Sequence, residues 1–270
     1  MVRARHQLLS DTRGKVTANH VMRDLRAAYN LALRVIDNPD HLPDNPVKAV
    51  TFNKERRKNA VIHPDDLATW WKNIQALPNP LRRAMHELGL YSGLRPGTLV
   101  SLRRDWVRLG EKAIRIPRMK SGRSFDLPLS ARMGGIVERA FAIGDVLYPK
   151  TDFLFPTRAT KDHPKNGVKK GDIIATQVWR EKSLPSETGH LLRHTYRTIA
   201  QREQIDKIEA RLLLDHTVPG IDGVYIHEKA LFDQLLLAQE RMSRAISALL
   251  NPGGTQRRNG HLHAQVLKPV

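Results

Sequence analysis

Alternation of apolar and polar residues, the mark of a half-buried strand, occurs convincingly in only one stretch of this chain, residues 113–129. Ala113-Ile114-Arg115-Ile116 and Ser124-Phe125-Asp126-Leu127-Pro128-Leu129 alternate on either side of a turn at Ser121-Gly122. This predicts a β-hairpin whose tip, Arg118-Met119-Lys120-Ser121-Gly122-Arg123, is basic. Elsewhere the apolar residues recur at helical spacing. The pattern therefore predicts a mainly α fold with a small antiparallel β-sheet, an α+β chain.

The first helix is expected over residues 17–36, where Val21, Leu25, Ala28, Tyr29, Leu31, Ala32 and Val35 follow a 3.6-residue period. Asp37-Asn38-Pro39-Asp40 breaks it. Residues 41–59 contain Pro43, Pro46 and a basic run at Lys54, Arg56, Arg57 and Lys58, and read as an inter-domain linker. Further helices are expected from Pro64 to residue 76, over 81–92, and over 96–102, with Gly93 ending one and Pro96 opening the next. Residues 131–143 return to a helix and 145–170 read as loop. The remaining helices are expected over 190–203, 205–214 and 227–250. The last is amphipathic, with Leu231, Leu235, Leu236, Ala238, Met242, Ala245, Ile246 and Leu249 on one side. The chain thus divides into a helical segment with linker at 1–60, a main domain at 61–250 and a polar tail at 251–270.

Composition narrows the function. With no cysteine among 270 residues, a disulfide framework, a thiolate metal site and a cysteine nucleophile are excluded. No apolar run approaches the ~18 residues of a membrane span, and residues 1–14 are too polar and basic for a signal peptide. Lys and Arg number 45 against 27 Asp and Glu, a net charge of +18. Solubility needs only about 2–8 units. The excess is spread along the chain, +6 over 1–60, +9 over 61–250 and +3 over 251–270. A basic surface on the folded body, facing a polyanion, is the expectation.

Four segments could carry chemistry. Arg95 lies at a helical corner in Tyr91-Ser92-Gly93-Leu94-Arg95-Pro96, where its planar fork could meet phosphate oxygens. Lys120, on the hairpin tip, could enter a groove and protonate an alkoxide leaving group. His190 and Arg193 in His190-Leu191-Leu192-Arg193-His194-Thr195 are three apart and share a helical face, a proton-transfer group beside a fixed cation. Leu214-Asp215-His216 is followed nine residues after the histidine by Tyr225. A tyrosine hydroxyl, with a pKa of ~10, needs nearby cations to become a nucleophile. Each segment taken alone has a plainer reading: a surface arginine by a turn, a solvated hairpin tip, a polar helix face, a buried tyrosine.

Taken together, in the order Arg, Lys, His-x-x-Arg, His, Tyr, they resemble the tyrosine recombinase or phage integrase family across residues 65–250. Ser92-Gly93-Leu94-Arg95 is similar to its first box, residues 190–195 to its second, and Leu214-Asp215-His216 with Tyr225-Ile226-His227 to its third. Residues 17–49 resemble the later helices of its core-binding domain, whose first helices are missing. The resemblance implies a site-specific recombinase that cuts and rejoins double-stranded DNA through a 3′-phosphotyrosyl link, without metal or cofactor. It implies Tyr225 as nucleophile, Arg95 and Arg193 as stabilisers of the phosphorane, Lys120 as general acid, His190 as general base or an assistant to the proton transfers, and His216 as a hydrogen-bonding group to the scissile phosphate. Lys54, Arg56, Arg57, Lys58, Arg118 and Arg123 would hold the duplex backbone. It further implies a cytoplasmic, nucleoid-associated homo-tetramer exchanging the C-terminal helix 227–250. A type IB topoisomerase and an inert basic DNA-binding module are the alternatives. Two positions depart from the family's pattern: Thr98, where Glu is frequent, and Asp215, where Gly is frequent. The acid at 215 either alters the electrostatics of the site or points away from it.

Overall fold

The computed structural model describes residues 1–36, 42–55, 61–177, 181, 189–218 and 228–252. It divides into two compact units, Met1–Asn59 and Ala60–Val270.

The first unit is a helical pair. Helix α1 (Val2–Arg13) packs along α2 (Lys15–Val35), with Gly14 at the joint. Polar residues 1–14 carried no helical period, and α1 buries only His6. A short 3-10 turn, Pro46–Ala49, closes the unit by burying Val47 and Val50 against Met22. Part of the expected linker thus belongs to this unit's core: a proline opening the turn and two buried valines, rather than a free connection. The apolar core is small, and buried amides complete it. Asn19, with no exposed surface, accepts from the backbone N–H of Asn53 at 2.9 Å and donates to the Asn53 carbonyl at 2.9 Å. Its Oδ1 also lies 3.0 Å from Nε2 of His6. Asn19 and Arg23 both donate to Glu55, holding that carboxyl below its ordinary range.

The second unit is built around α4 (Pro80–Ser92), which is buried along almost its whole length. Asn79 caps it by accepting from the N–H groups of Leu81 and Arg82. Before it comes α3 (Leu67–Gln75), led in by the 3-10 turn Pro64–Asp66, and after it α5 (Pro96–Val100). A three-stranded antiparallel sheet follows, in the order β1 (Val107–Arg108), β2 (Ala113–Ile116), β3 (Phe125–Pro128). Its expected hairpin pairs Ile114 with Leu127 and Ile116 with Phe125, all four buried. Helix α6 (Ala131–Leu147) then packs on α4.

The stretch expected to be loop, 145–170, holds the last turn of α6 and β4 (Pro156–Arg158), which pairs with β5 (Ile173–Ala175) just beyond it. These strands are too short to print an alternation. Helices α7 (Gly189–Arg202), α8 (Lys207–Leu212) and α9 (Phe232–Leu250) complete the unit. Leu235, Ala238, Met242, Ile246 and Leu250 of α9 lie in the same apolar core as Leu88, Tyr91 and Tyr196. Burying one such aliphatic side chain is worth about 1.5–3 kcal/mol.

Buried polar pins fix the register of this core. Gln239 of α9, fully buried, donates to the Tyr91 carbonyl at 2.8 Å and accepts from the Tyr196 hydroxyl at 2.9 Å. The end of α4 and the middle of α7 are therefore tied to one amide. Of the expected regions, the tail from 253 onward lies outside the described residues.

Candidate active site

Three side chains singled out in the sequence, Arg95, Arg193 and His216, meet where α4, α7 and the turn after α8 converge. Gly89 lets α4 pack closely against α5 and α7: a Cβ there would stand 2.9 Å from Leu99 Cδ2 and 3.1 Å from Leu192 Cδ1. One turn later Gly93 ends α4 in the left-handed conformation, φ 60°, which costs any other residue strain. A Cβ at Gly93 would also fall 2.7 Å from Leu214 Cδ2 and 2.8 Å from Tyr196 Cγ. The chain can turn here and still touch α7 and the turn after α8 only as glycine. Arg95 then caps α5 in an extended conformation, with Pro96 supplying the first helical φ.

Arg193 is 8% exposed and anchored on three sides. Its Nη1 donates to the Gly93 carbonyl at 2.8 Å and its Nη2 to the Leu214 carbonyl at 2.6 Å. Nη2 also lies 2.7 Å from Nε2 of His216. An arginine has only donors, so Nε2 of His216 is the acceptor and the ring proton sits on Nδ1. Burial, then the neighbouring charge of Arg95, pulls Arg193 down to about 10, with Asp215 acting in the opposite direction. It remains a cation at neutral pH. Burial, then the charges of Arg193 and Arg95, pulls His216 down to about 4, so its imidazole is neutral at pH 7.

Asp215 joins the group. Its side chain is 3% exposed, and Oδ2 accepts from Arg95 Nη1 at 3.0 Å. The acid next to His216 therefore points into the site. The Arg95 guanidinium is 26% exposed.

The other expected residues stand differently. Lys120, Arg118 and Arg123 lie at the tip of the β2–β3 hairpin and are exposed. The tip is a compact turn: Met119 is buried, its N–H donates to the Arg123 carbonyl at 2.7 Å, and the Gly122 N–H donates to the Met119 carbonyl at 2.9 Å. His190 is exposed on α7, one turn before Arg193. Lys54 is exposed in the first unit. Arg56, Arg57, Lys58 and Tyr225 lie outside the described residues. Among the described residues no group of His, Asp and Glu could hold a metal ion, and no helix is long and apolar enough to cross a membrane.

Sequence reasoning did not name the two main-chain oxygens that hold Arg193, nor the direction of Asp215. Carbonyl groups leave no mark on a sequence. Gly93 alone gave a signal, as a helix-ending glycine.

Two arginines and a neutral histidine gathered in this way have donors suited to the oxygens of an anion. Comparison with known proteins adds the family. The family model described as the phage integrase family matches residues 61–231, well over half of the chain, and the chain belongs to that family. No curated protein sequence matches it. Among solved structures, it is similar to lambda integrase(75-356), crystallised as a dimer bound to a COC′ core site, with a TM-score of 0.54 and 17% identity over 80% of this chain and 78% of that one. It is similar to the XerH site-specific recombinase bound to palindromic difH substrate, with a TM-score of 0.55 and 15% identity over 94% and 71%. The integrase from mycobacterium phage Brujita matches with a TM-score of 0.50 and 16% identity over 87% and 77%. These similarities are of fold, mainly helical with small antiparallel sheets.

Proposed function

We propose that this chain is an integrase-type site-specific recombinase that cuts and rejoins DNA strands through a 3′-phosphotyrosyl link to Tyr225. The observation that carries the reading is the convergence of Arg95, Arg193 and His216, from three separate segments, inside the region matched by the family. Arg193, fixed by three partners, presents its charge without reorganising, which is what stabilises a phosphorane as it forms. His216, neutral and held at Nε2, supplies hydrogen bonding rather than a third positive charge. Lys120 on the hairpin protonates the departing 5′-oxygen, and His190 assists proton transfer at the tyrosine. The bond energy stays in the phosphotyrosyl ester, so rejoining consumes no nucleotide.

Double-stranded DNA is the partner. The +18 charge supports this, with Lys54, Arg56, Arg57, Lys58, Arg118 and Arg123 along the backbone. The lambda integrase fold has been seen as a DNA-bound dimer and as a tetramer on a Holliday junction, and a homo-tetramer working in the cytoplasm, on the nucleoid, is the corresponding assembly here. The apolar face of α9 is already buried in this chain's own core, so any part that helix plays between subunits falls to its outer face, where Leu237 stands 68% exposed. No feature of the described residues favours the topoisomerase or the inert module.

The test is Tyr225→Phe on a pool of nicked duplexes randomised around the nick. The wild-type chain forms a covalent adduct that survives denaturation. The variant binds the same pool with similar affinity and forms none. An adduct in the variant would show that another residue is the nucleophile.

A further inference from the structure

Asp215 occupies a position that a carboxylate residue does not favour. The Asp215 N–H donates to the Leu212 carbonyl at 3.0 Å and the His216 N–H to the Arg211 carbonyl at 2.9 Å. These are the paired bonds of a Schellman helix ending, with residue 215 at its left-handed position, φ 50°. Glycine suits that position best, because it has no Cβ to strain. The aspartate tolerates the strain and sends its carboxylate inward, where it is nearly inaccessible. A buried carboxylate needs a charged or hydrogen-bonding partner. Its partner is Arg95 Nη1.

The contact is single. Among the described residues, the Arg95 guanidinium makes no other hydrogen bond, and it is the more open of the two groups. The carboxylate therefore sits on the protein side of the guanidinium, while Nε and Nη2 are left for an incoming ligand. Arg95 and Arg193 are near enough for their charges to oppose each other. Without an anion between them, two arginines in one site repel, and the freer one swings away.

We propose that Asp215 is a positioning residue of the strand-cutting site: it braces Arg95 from behind and offsets the Arg95–Arg193 repulsion, so that both guanidinium groups are in place before the scissile phosphate arrives. This rests on the recombinase reading above. The same residue also carries the main-chain turn that delivers the Leu214 carbonyl and the His216 ring to Arg193. One position thus orients both arginines, one by its side chain and the other through its flanking backbone.

The experiment uses the full chain with Asp215→Asn and Asp215→Gly, on the same randomised pool of nicked duplexes. Three quantities are read: the DNA concentration that half-saturates binding, the adduct rate at saturating DNA, and Tm. In both variants we expect the rate to fall about 10- to 100-fold, the range known for groups that orient metal ligands and taken here for one that orients an arginine. Half-saturation stays equal or improves, since a negative charge has been removed. Asp215→Gly melts at the same temperature as the wild type or higher, because the left-handed strain is relieved. Asp215→Asn, whose amide oxygen can still accept from Nη1, is the less impaired. An equal or faster rate in either variant overturns the proposal, since the carboxylate would then be idle or in the way of the phosphate. A lower Tm in Asp215→Gly with a proportional loss of binding also overturns it, by showing a purely structural role. If the wild-type chain forms no adduct with the pool, the strand-cutting reading itself fails.

Discussion

The two units of this protein solve the problem of a stable interior in opposite ways. In the first, among the described residues, the buried apolar cluster is only Met22, Val47 and Val50, and the fold is specified by amides: Asn19, Asn45 and Asn53 bridge helix to turn. In the second, a core of dozens of aliphatic and aromatic side chains surrounds α4, with a few polar pins such as Gln239. A small unit cannot bury enough apolar surface to define one packing, so directional bonds define it instead. A large apolar frame has the converse use. It can hold a charged group such as Arg193 nearly dry, because the surrounding structure is too well packed to relax around it.

The sharpest way to break this comparison is to remove the buried charge. Arg193→Ala should lower the adduct rate by at least about 10²- to 10³-fold, the cost of one preorganised donor, and leave the Gly93 and Leu214 carbonyls without a donor. Arg193→Lys should not rescue it, because an ammonium cannot reach the three anchors in the planar geometry. Single-turnover adduct formation at saturating DNA measures both. Next comes the frame. Leu88→Ala, at a fully buried position of α4, should cost about 2–5 kcal/mol of the second unit's stability in denaturant titration. In the first unit, Asn19→Ala should cost about 1–3 kcal/mol, the penalty for stranding buried polar partners. Amide exchange should speed up over residues 2–35 and stay as in the wild type over 80–92. Equal loss of protection in both stretches would end the idea that the amide network belongs to the first unit alone.

The smallest effect is that of pH. His216 has its pKa depressed in the fold, to about 4 from an ordinary 6.5. The stability tied to the neutral ring is therefore fully present above pH 6.5 and is lost as pH falls from there through 4. Glu55, and Glu181 where hydrogen bonds from His86 and Arg82 hold its carboxyl down, are also depressed and lose theirs only below their ordinary 4.5. Tm should thus fall between pH 6.5 and 4.5 in the wild type, and fall less in His216→Gln. Identical slopes would mean that the ring is not held neutral by burial and the charges of the two arginines.

The two units also differed in how far they could be read from sequence. The second unit's helices and its β2–β3 hairpin follow from period and punctuation: Asn79, Gly93 and Pro96 stand where they end or begin helices. Strands β1, β4 and β5, of two or three residues each, are too short to show a period. In the first unit α1 has no apolar stripe, because its one buried residue is a histidine bonded to an asparagine. Val47 and Val50 sit among prolines, which masked their role as core. At the site, Arg95, Arg193 and His216 were legible from residue type and order. The inward turn of Asp215 was not, because it depends on a left-handed φ that aspartate seldom adopts.

Arg95 and Arg193 differ in what mutation can do to their supports. Arg95 leans on a carboxylate, which a single base change in the gene can replace. Two of the three supports of Arg193 are the carbonyl groups of Gly93 and Leu214, and every amino acid has a carbonyl. No substitution at either position deletes the acceptor itself; only a change that moves the backbone can. The deeper of the two cations is therefore insulated from most point changes around it, and drift in this site should show first at the partner of Arg95.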